Sequence, residues 1–227
     1  MKAIHLLVAF LLCTEGMFAA QYRSIANGNF NDPAIWESST DGINWLPASL
    51  APIDGTHSCT IQAGHAVVLN QDLILNDQTP ITAPFFTVAG TLVFDHHFIE
   101  GEPGSNGSVF SLLQGATLEI KNASGLRKDT LGALRKFSVY NLHPLANYIF
   151  SGTANQEMNL GIDSSVNDLT ILSTAIVSST EAIIVYGTVQ VNAGIFHLNQ
   201  SLTLKGNALS ISGGSITSGS RAELHFN

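Results

Sequence analysis

The sequence predicts an all-β fold, a β-solenoid in which short strands wind into stacked coils. The first observation is a run of glycine-bounded strands at Val185–Ser218, where apolar and polar side chains alternate. The step from Gly187 to Gly206 equals the step from Gly194 to Gly213, which indicates that two strand-and-turn units recur together. A repeat of this short length suits one coil of a solenoid, because each coil buries its apolar side chains against its neighbours.

The second observation is that no stretch of the chain shows a clear helical pattern. From Cys59 onward, patterns of period two bounded by Gly, Asn and Asp dominate and predict strands. Gly64, Gly90 and Gly115 follow one another at nearly equal steps, and these steps are longer than those of the late run. We therefore predict that the early coils are longer than the late ones and carry loops that protrude between strands.

The N-terminal segment Met1–Ala20 has the pattern of a secretory signal peptide. Lys2 supplies the positive end, Leu6–Leu12 the apolar core and Met17–Ala20 an exit with small residues. The apolar core is too short to span a bilayer, and no other run is long enough. The sequence thus predicts a secreted or cell-surface protein in which Cys59 remains as the only cysteine, a buried free thiol.

Residues 21–58 are irregular and rich in turn signals, and they contain both tryptophans, Trp36 and Trp45. Bare strand edges at the first coil would invite association, so a solenoid needs a cover at that end. We predict that residues 21–58 form this N-terminal cap, with the two tryptophans plugging the end of the core. The alternative is that the tryptophans form a platform on which a sugar ring stacks.

Residues 59–227 are predicted to form the solenoid itself. Lys121–Lys136 interrupts the alternation and holds five of the eight Lys and Arg residues that follow the signal peptide. We expect a solvated excursion there, and the alternative is a site for an anion. The last residues, Ala222–Asn227, have the pattern of a further strand with nothing after it. We expect that the solenoid is truncated at this end, or that the end pairs with a partner.

Several short sequence motifs along the chain are recognisable when taken together. Those near the N-terminus are Tyr22–Ser24, Gly28–Phe30, Asp32–Glu37, Asp41-Gly42, Trp45 and Ile61–Val67, and those further on are Ala123–Gly125, Ala146–Gln156 and Asn167–Ile171. The set resembles large secreted surface proteins of Bacteroidota, with an N-terminal domain similar to the one named for its eight glycines. The resemblance implies a right-handed parallel β-helix, export across both membranes of a Gram-negative cell and a place at the cell surface. It implies no reaction.

Composition limits the partners of the chain. Charged residues make up 11% of the sequence, hydrophobic residues 45%, and the net charge is −8. The even spread of apolar residues excludes disorder, and the lack of a basic face argues against nucleic acid. Extracellular polysaccharide and other surface proteins remain as candidate partners.

No motif commits the chain to a reaction. Asp95-His96-His97 is the densest set of possible metal ligands, but no second set lies at a recognisable spacing. Calcium would need convergent oxygens from Asp32 with Asp41 or from Asp163 with Asp168, and no loop has the spacing of a known calcium motif. We therefore assign no catalytic residue, no metal and no other cofactor.

The sequence favours a non-enzymatic, structural and adhesive scaffold. One alternative is a carbohydrate-binding module that uses Trp36 and Trp45. Another is a polysaccharide lyase or glycoside hydrolase, which would need two carboxylates on one groove, although no acid recurs at the coil period. Any ligand site is expected in one of the loops Asn76–Pro84, Asp95–Gly107 or Lys121–Lys136.

Overall fold

A computed structural model of the chain describes residues 20–52, 58–75, 85–101, 107–127, 131–159, 164–206 and 208–227. Within these ranges the regular structure is β-strand, apart from one 3-10 turn at Pro33–Ile35. The predicted all-β class is therefore confirmed. The predicted signal peptide lies outside the described residues except for Ala20.

The strands are short, with two to four residues each. The first four are β1 (Gln21–Ser24), β2 (Gly28–Asn29), β3 (Trp36–Ser39) and β4 (Leu46–Pro47). The next eleven are β5 (Ser58–Ile61), β6 (Ala66–Leu69), β7 (Leu73–Ile74), β8 (Phe85–Val88), β9 (Thr91–Phe94), β10 (Ile99–Glu100), β11 (Val109–Leu112), β12 (Thr117–Ile120), β13 (Leu134–Arg135), β14 (Val139–Leu142) and β15 (Asn147–Phe150). The last eleven are β16 (Gln156–Met158), β17 (Ser164–Val166), β18 (Leu169–Ile171), β19 (Ile176–Ser179), β20 (Ile183–Val185), β21 (Thr188–Val191), β22 (Ile195–Leu198), β23 (Leu202–Leu204), β24 (Ala208–Ile211), β25 (Ser215–Ser218) and β26 (Leu224–Phe226).

From β5 onward the chain visits parallel sheets in rotation, and we call one such rotation a coil. The first coils pass through the strand series β5-β8-β11-β14, β6-β9-β12-β15 and β7-β10-β13. The later coils pass through β16-β19-β22-β25 and β17-β20-β23-β26. The second series continues through both parts as an eight-stranded sheet in the order β2-β6-β9-β12-β15-β18-β21-β24.

The pairing register gives the length of each coil. In an early coil Val67 pairs with Leu92, and in a late coil Leu169 pairs with Val189. Fewer residues separate the paired positions in the late coil than in the early one. The predicted difference between long early coils and short late coils is confirmed. The predicted pair of strands per late repeat is wrong, because each late coil contains a third strand, such as β23, that no adjacent glycine marks.

One glycine shows how closely successive coils approach. A Cβ atom on Gly90 would overlap the carbonyl oxygens of Gln62 and His65 in the preceding coil. A side chain at this position would force the two coils apart, and glycine is the residue that permits such backbone contact.

Aromatic rings stack along the core from coil to coil. Phe30 faces Phe86 with ring centroids 6.3 Å apart, and Phe86 faces Phe110 at 6.0 Å. Phe137 then meets Phe110 edge to face at 5.5 Å. Burial of each such side chain contributes about 1.5–3 kcal/mol, so the stack is a main source of cohesion between coils.

The N-terminal region is continuous with the sheets. β1 pairs parallel with β5 and antiparallel with β3, while β2 pairs with β6. Trp36 is fully buried, and its indole Nε1 donates a hydrogen bond to the carbonyl oxygen of Phe30 at 2.9 Å. The predicted burial of Trp36 is confirmed. Trp45 is only half-buried, with the guanidinium of Arg23 4.3 Å from its ring centroid, so a role in plugging the core is wrong for Trp45.

Candidate functional site

A shallow depression of about 200 Å³ lies on the eight-stranded sheet, across β12, β15, β18 and β21. We call it the polar depression. Its lining consists of Thr117, Asn147, Tyr148, Ile149, Asp168, Thr170, Thr188 and Gln190.

Strand alternation and register place these side chains together. Successive residues of a strand point to opposite faces, and in β15 the buried residues are Tyr148 and Phe150. Ile149 between them is therefore on the outer face, and its paired neighbour in the next coil is Thr170, which in turn pairs with Gln190. Neighbouring strands lie about 4.8 Å apart, so each coil adds one outward residue to the same column.

Hydrogen bonds between coils hold the polar groups of the depression. The Asp168 Oδ1 atom accepts hydrogen bonds from the Thr188 backbone N–H at 2.7 Å and from its hydroxyl at 2.8 Å. Asn167 donates from its Nδ2 atom to Asp168 Oδ2 at 3.2 Å and to Asn147 Oδ1 at 3.0 Å. Asn147 Nδ2 donates to the carbonyl oxygen of Gly115 at 3.2 Å. The carboxylate and the amide are thus fixed before any ligand arrives.

Other polar groups in the lining have bonding capacity left. The hydroxyls of Thr117 and Thr170 make no hydrogen bond with the described residues. The exposed amide of Gln190 has only a long contact of 3.5 Å with Asn192 among those residues. Within the described part of the chain, Asp168 has no ion-pair partner. The depression can therefore offer hydroxyl, amide and carboxylate groups to a ligand.

The predicted aromatic platform is not assembled. Trp36 is buried in the core, where it cannot meet a sugar, and Arg23 covers a face of the Trp45 ring. Arg23 is held there by Glu37, with its Nε atom 2.8 Å and its Nη2 atom 2.6 Å from Glu37 Oε2. Trp45 Nε1 donates to the carbonyl oxygen of Gly42 at 3.2 Å. These contacts indicate a structural role for both tryptophans.

Three basic residues of the segment Lys121–Lys136 are engaged by carboxylates. Glu100 accepts hydrogen bonds from Arg135 Nε at 2.8 Å and from Lys136 Nζ at 2.6 Å, and Arg127 lies 3.2 Å from Glu157. Burial opposes ionisation of Glu100, but the Lys136 hydrogen bond and the two positive charges outweigh it and lower its pKa. Arg127, Arg135 and Lys136 are therefore not free to form the anion site considered for this segment, and residues 128–130 lie outside the described residues.

The other loops predicted to hold a site are described only in part. Asn76–Pro84 lies outside the described residues, and Asp95–Gly107 is described except for residues 102–106. At its start His96 has a φ of 70°, which gives the turn that could bring neighbouring ligands together. His97 Nδ1 nevertheless lies 3.0 Å from Asp72, whereas His96 lies 3.8 Å from Asp95. Across the described residues, no group of three or more His, Cys, Asp or Glu side chains could hold a metal ion.

The carboxylates considered for calcium serve local structure. Asp32 accepts a hydrogen bond from the Ala34 backbone N–H at 2.9 Å and begins the 3-10 turn. Asp41 accepts from the backbone N–H groups of Asn44 and Ile43, both at 2.8 Å, and these bonds lower its pKa. Asp163 lies outside the described residues, and Asp168 belongs to the polar depression.

Comparison with protein-family models, curated proteins and solved structures found no match to this chain. Among the residues that the structure describes, no helix has the length and apolar character needed to cross a membrane.

The residues of the polar depression were not among the predicted site residues, apart from Asp168. They lie in strands, and Thr188 and Gln190 belong to the glycine-bounded run that was interpreted as structural. The available signal was weak: polar residues at outward positions of successive strands, such as Thr170 and Gln190, recur once per coil. Hydroxyls and amides at such positions are also the usual cover of an exposed sheet, so the pattern alone did not distinguish a site.

Proposed function

We propose that this protein is a secreted or cell-surface β-solenoid module that acts as a structural and adhesive scaffold. The observation that supports the proposal best is the eight-stranded sheet, in which backbone pairing continues from β2 to β24. In stacked architectures each coil adds buried surface and backbone hydrogen bonds, so stability and stiffness accumulate along the stack. Such a module can hold other groups at a distance from the cell.

We further propose that the coils are right-handed and that residues 21–58 form the N-terminal cap. β1 and β3 extend the first sheet beyond β5, and their antiparallel pairing departs from the parallel pairing of the coils. The buried Trp36 and Phe30 fill the core at this end. An end that is covered in this way is protected from pairing with another chain.

The surface location rests on the signal-peptide pattern of Met1–Ala20 and on the resemblance to Bacteroidota surface proteins. Extracellular polysaccharide and other surface proteins are the partners that fit this location. An acidic chain with few charges is compatible with both, since neither requires a basic face.

The enzyme alternative has less support because three of the acids in the described part of the chain form ion pairs. Glu37, Glu100 and Glu157 are each engaged by at least one cation. A glycosidase needs two carboxylates a few ångströms apart, with one of them free to give up a proton. The ion pairs keep these three acids from that role.

Location and activity can be tested together on the full chain in its native host. Antibody labelling and protease digestion of intact cells should detect the protein outside the cell, and deletion of its gene should reduce attachment of the cells to a polysaccharide-coated surface. Removal of residues 1–20 should retain the protein inside. Release of reducing ends from polysaccharides by the purified protein would contradict the scaffold and favour the enzyme.

A further inference from the structure

We infer that the polar depression binds a neutral, hydroxyl-rich oligosaccharide through the side chains of Asp168, Thr170 and Gln190. This site differs from the tryptophan platform considered above and goes beyond the scaffold role. A scaffold can hold its fold and position without any ligand on this face.

The bonding capacity of the lining matches sugar hydroxyls. Each hydroxyl of a sugar is both a donor and an acceptor. The Asp168 carboxylate can accept, the Thr170 hydroxyl can do both, and the Gln190 amide presents one group of each kind. Ile149 adds an apolar side chain beside them, against which the C–H groups of a sugar ring can pack.

The negative charge of the polar depression favours a neutral ligand over an anionic one. The lining contains one carboxylate and no Lys, Arg or His. Glu119 adds a second carboxylate on the outer face, where it pairs with Ile149 across the ladder and accepts a hydrogen bond from Ser151 at 2.7 Å. A phosphate or a uronic acid would meet repulsion here, with no cation in the lining to offset it.

The polar depression lies on the face of the sheet, so a peptide cannot bind there by adding a strand. The backbone groups of β15, β18 and β21 are already bonded to neighbouring coils on both sides. A peptide that binds by adding a strand needs a free edge, which the face of a sheet does not offer. The ligand must therefore be recognised by side chains alone, as oligosaccharides commonly are.

Hydrogen bonds hold polar side chains of the depression in place before a ligand binds. Asp168 and Asn147 belong to different coils but are tied together through Asn167 and through the Asp168 backbone N–H, 3.3 Å from Asn147 Oδ1. Side chains that are already ordered lose little conformational freedom on binding, which favours a ligand that makes several individually weak contacts.

Titration calorimetry of the purified full-length chain against cellohexaose, laminarihexaose, xylohexaose and mannohexaose would test the inference. We expect binding of at least one hexasaccharide, and weaker or no binding of hexagalacturonic acid. The double variant T170A/Q190A should weaken binding about tenfold, because each lost hydrogen bond removes a modest part of the affinity. Both side chains are outside the core, so circular dichroism should show an unchanged fold.

The matched control is the double variant S178A/T203A, which removes outward polar groups from the two other late sheets. It should bind like the wild type. The inference is overturned if no neutral hexasaccharide binds, if both double variants lose affinity equally, or if the Trp45→Ala variant alone abolishes binding. The inference is also overturned if titration of calcium chloride alone releases heat with the wild type and none with T170A/Q190A, since the depression would then be a cation site. None of these outcomes bears on whether the protein is displayed on the cell surface.

Discussion

The rings of Phe86 and Phe110 stack almost in parallel, with centroids 6.0 Å apart and planes inclined by 11°. The two residues are paired neighbours in β8 and β11, so the contact joins one coil to the next. Phe110 also meets Phe137 edge to face, and each ring is fully or almost fully buried. Cohesion between these coils therefore depends on side chains that touch across the ladder.

Replacement of Phe110 by alanine should lower the free energy of unfolding by about 3–5 kcal/mol, because it leaves a cavity in contact with two coils. Guanidinium chloride unfolding followed by circular dichroism would measure the change. Val139→Ala is the control: Val139 is 44% exposed and should change stability by about 0.5 kcal/mol or less. Equal losses in the two variants would contradict the role of the aromatic stack.

Replacement of Tyr148 by phenylalanine should raise the free energy of unfolding by about 1 kcal/mol. The Tyr148 hydroxyl is buried and has no hydrogen-bond partner among the described residues, so its desolvation is not compensated. Tyr186→Phe is the matched control, since Tyr186 is 40% exposed and should behave like the wild type. Destabilisation by Tyr148→Phe would show that the hydroxyl has a partner.

Alkaline pH provides an independent test of the same hydroxyl. Burial raises the pKa of Tyr148, whereas an unfolded tyrosine titrates near its ordinary pKa of about 10. Above that pH the unfolded state loses the proton while the folded state keeps it, so the stability decreases as pH rises. Denaturant midpoints measured from neutral pH to above pH 10 should therefore fall less steeply for Tyr148→Phe than for the wild type. Identical slopes would indicate that Tyr148 is ionisable in the folded chain.

Replacement of Glu100 by glutamine should destabilise the protein at neutral pH and flatten its response to acid. The pKa of Glu100 is lowered in the folded state, so its ionised form stabilises the fold above the unfolded value of about 4.3. This contribution is lost as pH falls through the folded pKa. Thermal midpoints between neutral and acidic pH would reveal it, with Glu223→Gln as the control because the Glu223 side chain is 72% exposed. A response of Glu100→Gln that parallels the wild type would contradict the prediction.

The thiol of Cys59 should resist labelling in the native protein. Cys59 is fully buried and its pKa is raised well above the ordinary value by burial, so little thiolate forms. A chain that begins at Gln21 should react with a thiol reagent only after addition of denaturant. Rapid labelling under native conditions would show that this part of the core opens readily.

The strands were predictable because their causes are local. Alternation of apolar and polar residues, as in Tyr148-Ile149-Phe150, follows from a strand with one buried face, and the observed burial repeats that pattern. The third strand Leu202–Leu204 was missed because it is short and follows no glycine, whereas the pattern of Ala222–Asn227 predicted the third strand Leu224–Phe226. The burial of Trp36 could be expected from its size, but the partial cover of Trp45 depends on Arg23, which reaches its ring from β1.

The polar depression could not be predicted in the same way because it depends on lateral register. Tyr148 pairs with Leu118 of the preceding coil and with Leu169 of the next coil. Many more residues separate Leu118 from Tyr148 than separate Tyr148 from Leu169. Loops of unequal length set these steps, and nothing in the strand sequences encodes them. The proximity of Asn147 to Asp168 is thus a property of the stack and not of any one segment.

Equal steps in the late coils have a consequence for how such a chain can change over generations. Leu169, Val189 and Leu209 follow one another in the eight-stranded sheet at equal intervals along the chain. If the gene lost or duplicated the segment that encodes one such interval, each remaining strand could still pair with the corresponding strand of the next coil. Recombination can therefore lengthen or shorten the molecule in whole steps while the aromatic core near the N-terminus stays untouched. The interval between Leu169 and Val189 also holds Thr170 and Thr188, so its loss would shorten the molecule and remove part of the polar depression at once.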